Sequence, residues 1–404
     1  MTSKARVAKI ILISLFLLTV IGGFILAQNI RRQRLTTQNR QETINNINIS
    51  IDAVIEAHPT KHELFAPFYE SAEKLVQTMT LEEKIGQMFL ARFPGATVTQ
   101  EIAKYYPGGY ILFSSDFAGE TKASITAKLA EYQKASPINL FLGVDEEGGS
   151  VVRVSNHSAF RSQRFASPQQ LWSQGGLPAI IHDAKEKSVF LKSLGLNMNL
   201  APVADVSTDP TSFIYDRTFG QDAARTASYI AEVIQMMKDD QIVAVLKHFP
   251  GYGDNHDTHT GKAIDNRPYE ELQTNDFLPF ISGIKAGVPC ILVNHNVVTA
   301  IDSQLPASVS PNVHQILRKE LNFSGLIITD DLAMGAIESQ LDHNEAAVQA
   351  VLAGNDLIIS SDLSVQAEAV LQAVRAGTIA ESQIDQAVKR ILACKLAYGI
   401  ITSP

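Results

Sequence analysis

Apolar residues fall along this chain in three regimes. Ile10 to Ala27 is a run of eighteen residues without a charge, preceded by Lys4, Arg6 and Lys9. A basic flank before such a run predicts an export signal or a membrane anchor. Eighteen residues just span the hydrocarbon, which favours an uncleaved anchor over the shorter core of a cleaved signal. From Gln28 to about Pro67 the chain is rich in Asn, Gln and Thr and reads as a juxtamembrane stalk. Beyond it, short apolar runs alternate with longer amphipathic stretches. The candidate strands are Met88–Phe93, Gly109–Ser114, Asn139–Val144, Asn197–Val203, Ile242–Lys247, Cys290–Asn294, Leu326–Thr329 and Asp356–Ser360. Their shortness and apolar character fit parallel strands buried on both faces.

The stretches between them carry helical patterns, as in Ala223–Asp239, Pro311–Leu321, Asn344–Ala353 and Ser364–Ala376. The last, Glu381–Tyr398, sets Ile384, Val388, Ile391 and Leu392 on one face and stops at Gly399. The folded part is predicted to open with a helix over Phe68–Thr78. Thr80 then stands three residues before Glu83 in capping-box spacing. Eight alternations in roughly 330 residues predict an α/β fold, a (β/α)8 barrel in one domain. A doubly wound sheet is the competitor, but no Gly-x-Gly-x-x-Gly turn follows the first strand. The expected division is an anchor over 1–30, a stalk over 31–67 and a barrel domain over 68–404.

Composition narrows the function classes. The 404 residues carry a formal charge of −8 and two cysteines. Mild acidity argues against nucleic acid as a partner, and two cysteines build neither a disulfide framework nor a four-thiolate metal site. Cys290 and Cys394 both sit in apolar patterns and read as buried free thiols. Residues 1–40 hold seven basic residues and no acids, so the rest has 27 basic against 42 acidic residues, a charge of −15. A cationic membrane segment therefore precedes a distinctly acidic domain, expected to be extracytoplasmic and tethered, or secreted if the anchor is cleaved.

The predicted strands end in polar residues. The third runs into Asp145-Glu146-Glu147-Gly148-Gly149, the fourth into Asp205, the fifth into Lys247-His248, the sixth into Asn294-His295, the seventh into Asp330-Asp331 and the eighth into Ser360-Ser361-Asp362. A barrel gathers these ends at one mouth, where active sites of the fold lie. Carboxylates, amides, a Lys and a His in one ring suit a substrate covered in hydroxyl groups. The bland reading of any one Asp or Ser is a helix N-cap.

The densest chemistry lies between Lys247 and Gly261, where Pro250 and several glycines forbid a continuous helix. Two readings of this loop stand. His248, His256, His259 and the aspartates raise a metal site, although their spacing matches no compact zinc motif. The other reading pairs Asp257 with His259 as a general acid/base, since a carboxylate orients an imidazole and raises its proton affinity. Asp330, rigidly aimed at the mouth by a buried strand, then suits the nucleophile of a retaining glycosidase, and Asp331 is expected to cap the following helix.

Four segments appear in order: Gly143-Val144-Asp145-Glu146-Glu147-Gly148-Gly149, Asn199-Leu200-Ala201-Pro202-Val203-Ala204-Asp205-Val206, Lys247-His248-Phe249-Pro250-Gly251-Tyr252-Gly253 and Thr329-Asp330-Asp331-Leu332-Ala333-Met334. Together they resemble family 3 glycoside hydrolases, specifically the β-N-acetylhexosaminidase branch acting on peptidoglycan fragments. The resemblance covers roughly Phe68 to the C-terminus. It implies a retaining exo-β-N-acetylglucosaminidase with no cofactor and no metal. Asp330 would be the nucleophile, and His259 the acid/base partnered by Asp257. Asp145, Arg153, Arg217, Lys247 and His248 would hold the sugar hydroxyls. Other branches usually draw their acid/base from a further C-terminal domain, which is expected to be absent here because Pro404 follows the final helix closely. The loop departs from the family pattern twice, with Thr258 in place of Ser and one residue fewer before Asp257, which bears on rate and leaving-group preference. Another sugar specificity, a phosphorylase, a metal-dependent hydrolase and a non-catalytic sugar-binding protein are the alternatives.

Overall fold

A computed structural model describes residues 63–253, 255 and 261–403. The apolar run Ile10–Ala27, the stalk up to residue 62, and Asp257 and His259 lie outside the described residues. Among the described residues no helix is long and apolar enough to cross a membrane.

Eight parallel strands form the centre: β1 Phe89–Arg92, β2 Gly109–Leu112, β3 Phe141–Val144, β4 Met198–Asn199, β5 Val243–Phe249, β6 Cys290–Val293, β7 Leu326–Thr329 and β8 Ile358–Ser360. Their order is β8-β1-β2-β3-β4-β5-β6-β7. A single parallel bridge between Ile328 and Leu357 joins the two ends, so the sheet is a nearly closed barrel. Strands of two to seven residues with apolar side chains on both faces are what a barrel wrapped in helices requires. Every residue of β2, β3, β5, β6 and β7 is buried.

The helices bury the outer faces. Thr80 caps the helix Leu81–Gln87 as its spacing predicted, accepting from the Glu83 amide while Glu83 reaches back. The predicted helix Ala223–Asp239 is observed with those bounds, and the terminal one runs Glu381–Ala397. A 26-residue helix, Pro168–Ser193, breaks its geometry at Gly175 and Gly176. Behind β5, Phe249 stacks on Phe277 and meets Phe280 edge-on, which ties the strand bearing Lys247 and His248 to the helix Phe277–Ala286. Cys290 and Cys394 are buried free thiols. The folded body takes in Phe65, which is buried although the sequence pattern placed it in the stalk.

Two elements differ from the sequence reading. The fourth strand, predicted over Asn197–Val203, is reduced to Met198–Asn199 and an isolated parallel bridge from Val203 to Lys247. Pro202 has no N–H to donate, and the carbonyls of Ala201 and Pro202 instead accept from Val245 and Lys247. Asp331 is not a helix cap: the chain turns first, and the helix Gly335–Glu338 begins after Met334. Asp331 Oδ1 accepts from the Ala333 amide within that turn.

Candidate active site

The C-terminal strand ends surround a cavity of about 300 Å³. Asp145, Arg153, Arg217, Lys247, His248 and Asp330, six of the eight residues singled out in the sequence, line it together.

Just past the end of β3, three consecutive acids take different partners. Asp145 Oδ1 accepts from Lys247 Nζ at 2.6 Å, and Glu147 Oε1 accepts from the same ammonium at 2.7 Å. Glu147 also receives Arg217 through two bonds, Nη2 to Oε1 at 2.8 Å and Nε to Oε2 at 3.1 Å. Burial pushes the Glu147 carboxyl up, but Arg217 and Lys247 outweigh it and hold the group well below the usual carboxylate range. Burial lowers the proton affinity of Lys247, and Asp145 and Glu147 more than restore it, so the ammonium is held above its ordinary range. Glu146 turns the other way. Its carboxylate accepts from the amides of Arg153, Val154 and Ser155 and from the Ser155 hydroxyl, folding the loop that carries Arg153.

His248 is fixed from two sides. Asp205 Oδ2 lies 2.6 Å from Nδ1, and Arg217 Nη2 lies 3.1 Å from Nε2. A guanidinium only donates, so Nε2 accepts and the Nδ1 hydrogen goes to Asp205. The other Asp205 oxygen accepts from the Tyr252 amide at 2.7 Å. The Asn294 side-chain amide donates to the carbonyls of His248 and Gly251. Gly251 has φ +122°, and a Cβ there would lie 2.3 Å from Asp276 Oδ1. Only glycine lets the loop pass so close to that carboxylate.

Asp330 continues β7 into the mouth, its amide bonded to the Val293 carbonyl at 3.0 Å and its Oδ1 receiving the Asp331 amide at 2.9 Å. Removal from bulk water pushes its carboxyl up. His295, the Asp331 amide and Lys247 outweigh this and keep it below its ordinary range. Asp330 is therefore an ionised carboxylate at neutral pH. His295 itself is anchored at Ser308 Oγ and at the Asp331 carbonyl.

Glu147, Asp205 and His295 are the supports that residue-by-residue reading did not single out. Their signal was present, because all three end predicted strands. Trp172, the only tryptophan of the chain, meets the ring of Phe219 edge-on and stays exposed. Among the described residues no group of three His, Cys, Asp or Glu side chains is placed to hold a metal ion.

The family described as glycosyl hydrolase family 3 N terminal domain matches residues 80–394. Beta-hexosaminidase LpqI of Mycobacterium tuberculosis is 29% identical over 326 residues, which is 78% of this chain and 82% of that protein. A beta-hexosaminidase of Xanthomonas euvesicatoria is 32% identical over 232 residues, 56% of this chain and 68% of the relative. A solved family 3 beta-N-acetylglucosaminidase from Paenibacillus superimposes with a TM-score of 0.76 at 30% identity, covering 81% of this chain. The chain spans 64% of that protein's length, a little under two thirds.

Proposed function

The chain belongs to glycosyl hydrolase family 3, and on that premise we propose that it is a retaining exo-β-N-acetylglucosaminidase removing terminal GlcNAc from cell-wall glycans. The observation that carries this reading is Asp330, an ionised carboxylate on a rigid strand end inside the cavity lined by Asp145, Arg153, Arg217, Lys247 and His248. Those five side chains supply donors and acceptors for sugar hydroxyls. Asp330 Oδ attacks the anomeric carbon and the glycosidic bond to the leaving oxygen breaks, giving a covalent glycosyl-enzyme that water then cleaves with net retention. His259, oriented by Asp257, serves as the acid that protonates the leaving oxygen and as the base that activates water. The names of the relatives support the N-acetylhexosamine specificity. The basic-flanked run Ile10–Ala27 supports an extracytoplasmic enzyme tethered to the membrane.

The test is a panel of nitrophenyl glycosides of GlcNAc, GalNAc, glucose and xylose, with and without phosphate. The GlcNAc substrate is expected to turn over fastest. Asp330→Ala is expected to abolish turnover while sugar binding persists, and comparable activity of that variant and wild type would remove the mechanism. His259→Ala is expected to slow poor leaving groups more than activated aryl ones. Protease treatment of intact cells is expected to release the domain, and an untouched domain would count against the tethered location.

A further inference from the structure

The helix Pro168–Ser193 turns a pair of charges inward, behind Glu147 and Arg217. Asp183 and Lys187 stand one turn apart on it. Lys187 Nζ lies 3.0 Å from Asp183 Oδ2, and each side chain is only 11% exposed. Taking both charges out of water cancels much of their attraction, so such a pair is a poor source of stability. What the ammonium touches besides Asp183 gives it a use. It donates to the Glu147 carbonyl at 3.0 Å and lies 5.2 Å from the centre of the Phe165 ring.

Glu147 is the residue whose carboxylate gathers Lys247 and Arg217. Its peptide leads into Gly148 at φ +105°, where a Cβ would lie 2.2 Å from the Ala166 carbonyl oxygen. A glycine joint leaves the peptide before it free to swing unless something holds it. The amides of Glu147 and Gly148 share one acceptor, the Val151 carbonyl. The carbonyl of Glu147 is held by Lys187, and Asp183 fixes where that ammonium sits. Packing does not replace this bond. A cavity of about 30 Å³ lies behind Glu147 and Arg217, bordered by Asp183, Lys187 and Tyr229. Side chains beside a gap lack contacts on that side. Neither Asp183 nor Lys187 borders the sugar cavity itself.

We propose that Lys187, held by Asp183, is a positioning residue of this active site. It acts through the Glu147 peptide and sets where Glu147 presents Lys247 and Arg217 to the sugar. The inference rests on the glycosidase reading and deepens it. Its consequence is that a helix remote from the substrate tunes how tightly the terminal sugar is held.

The experiment uses the full chain, nitrophenyl GlcNAc as substrate and GlcNAc as competitive inhibitor. The main variant carries Asp183→Asn and Lys187→Met together, which removes both charges and leaves neither buried alone. It is expected to keep a cooperative urea transition and to lose about tenfold in kcat/KM, short of the ~10²-fold that a 1 Å misplacement costs. The loss should fall mainly on KM, with the GlcNAc inhibition constant rising in step, because the displaced groups hold the sugar. Lys187→Arg keeps a charged donor and should fall between this variant and wild type. The decisive readout is a cycle with Glu147→Gln. In that background the Asp183→Asn, Lys187→Met change should cost less than about twofold, since its route to the substrate is already cut. A merely structural pair would cost the same factor in both backgrounds, and that result overturns the proposal. So does unchanged KM and GlcNAc inhibition in the folded variant. If the variant does not fold, Asp183→Asn alone is taken through the same cycle and judged by the same outcomes. If wild type cleaves no GlcNAc glycoside, the glycosidase reading fails, and the link to Glu147 is read from amide hydrogen exchange at Glu147, Gly148 and Gly149. Faster exchange there in the variant supports the link, and unchanged exchange refutes it.

Discussion

Replacing Glu147 by Gln keeps the shape of the side chain and removes one charge from beneath the sugar cavity. Three charge-assisted bonds converge on that carboxylate, one from Lys247 and two from Arg217. Each such bond contributes about 1.5–3 kcal/mol, but they share one acceptor and are not independent. The better guide is the cost of removing one partner of a buried ion pair, about 3–5 kcal/mol. Lys247 retains Asp145 at 2.6 Å, which holds the loss toward the lower end, while Arg217 loses its carboxylate partner. Urea denaturation of Glu147→Gln is therefore expected to show a loss of about 3 kcal/mol at neutral pH. Misplacement of Lys247 and His248 is expected to cut kcat/KM by about 10²-fold. The pH dependence has a definite sign. The Glu147 carboxyl is held below its unfolded value of 4.5, so its stabilisation is complete above that pH and is lost as pH falls toward the folded value. The wild-type and variant curves should thus converge on acidification below about pH 5. A difference under about 1 kcal/mol at neutral pH, or a gap that stays constant through the acid range, would refute the reasoning.

Three further outcomes follow from the same structure. Lys395 is buried with Nζ on Gln87 Oε1 at 2.8 Å, and burial pulls its ammonium down from 10.5 to about 7. Charging it in the fold costs at most about 5 kcal/mol, at about 1.4 kcal/mol for each tenfold in proton affinity. Lys395→Met should therefore stabilise the protein most at and below pH 7 and lose that advantage toward pH 10.5, and urea midpoints that run parallel across this window would contradict it. Thr329→Val leaves the Ile359 amide, now bonded to the hydroxyl at 3.1 Å, without its acceptor, and chemical denaturation should show a loss of about 1–3 kcal/mol. Gly251→Ala combines a positive φ with a clash against Asp276, and a thermal melt should report a loss of about 2–4 kcal/mol, while an unchanged melt would remove the argument for glycine there.

The barrel was legible because its strands are buried on both faces, which writes each as a short apolar run with polar residues at its C-terminal end. Leu326–Thr329 kept its predicted bounds for that reason, and six predicted site residues met at one cavity. What could not be read was direction. Asp145, Glu146 and Glu147 are chemically alike and adjacent, yet the first and third meet Lys247 and the second meets three backbone amides. Asp331 looked like a helix cap because the sequence offers an acid just before helix-forming residues. The turn at Leu332–Met334 decides otherwise, and its geometry depends on tertiary bonds to Ile359 and Ser361.

The closure of the barrel has a consequence for motion. β7 pairs with β6 through four residues, but with β8 through one bridge, and just above it the Thr329 hydroxyl stands where a ladder carbonyl would be. Asp330 therefore rides on the strand at the seam of the hoop. The bonds beside Asp330, from the Ile359 amide to the Thr329 hydroxyl and from the Ser361 hydroxyl to Asp331, join the backbone bonds that stitch the hoop at this seam. Opening of the barrel at its thinnest join therefore carries Asp330 with it. Amide exchange at Ile359 and Leu332 becomes a gauge of how often the enzyme is out of register with its own reaction.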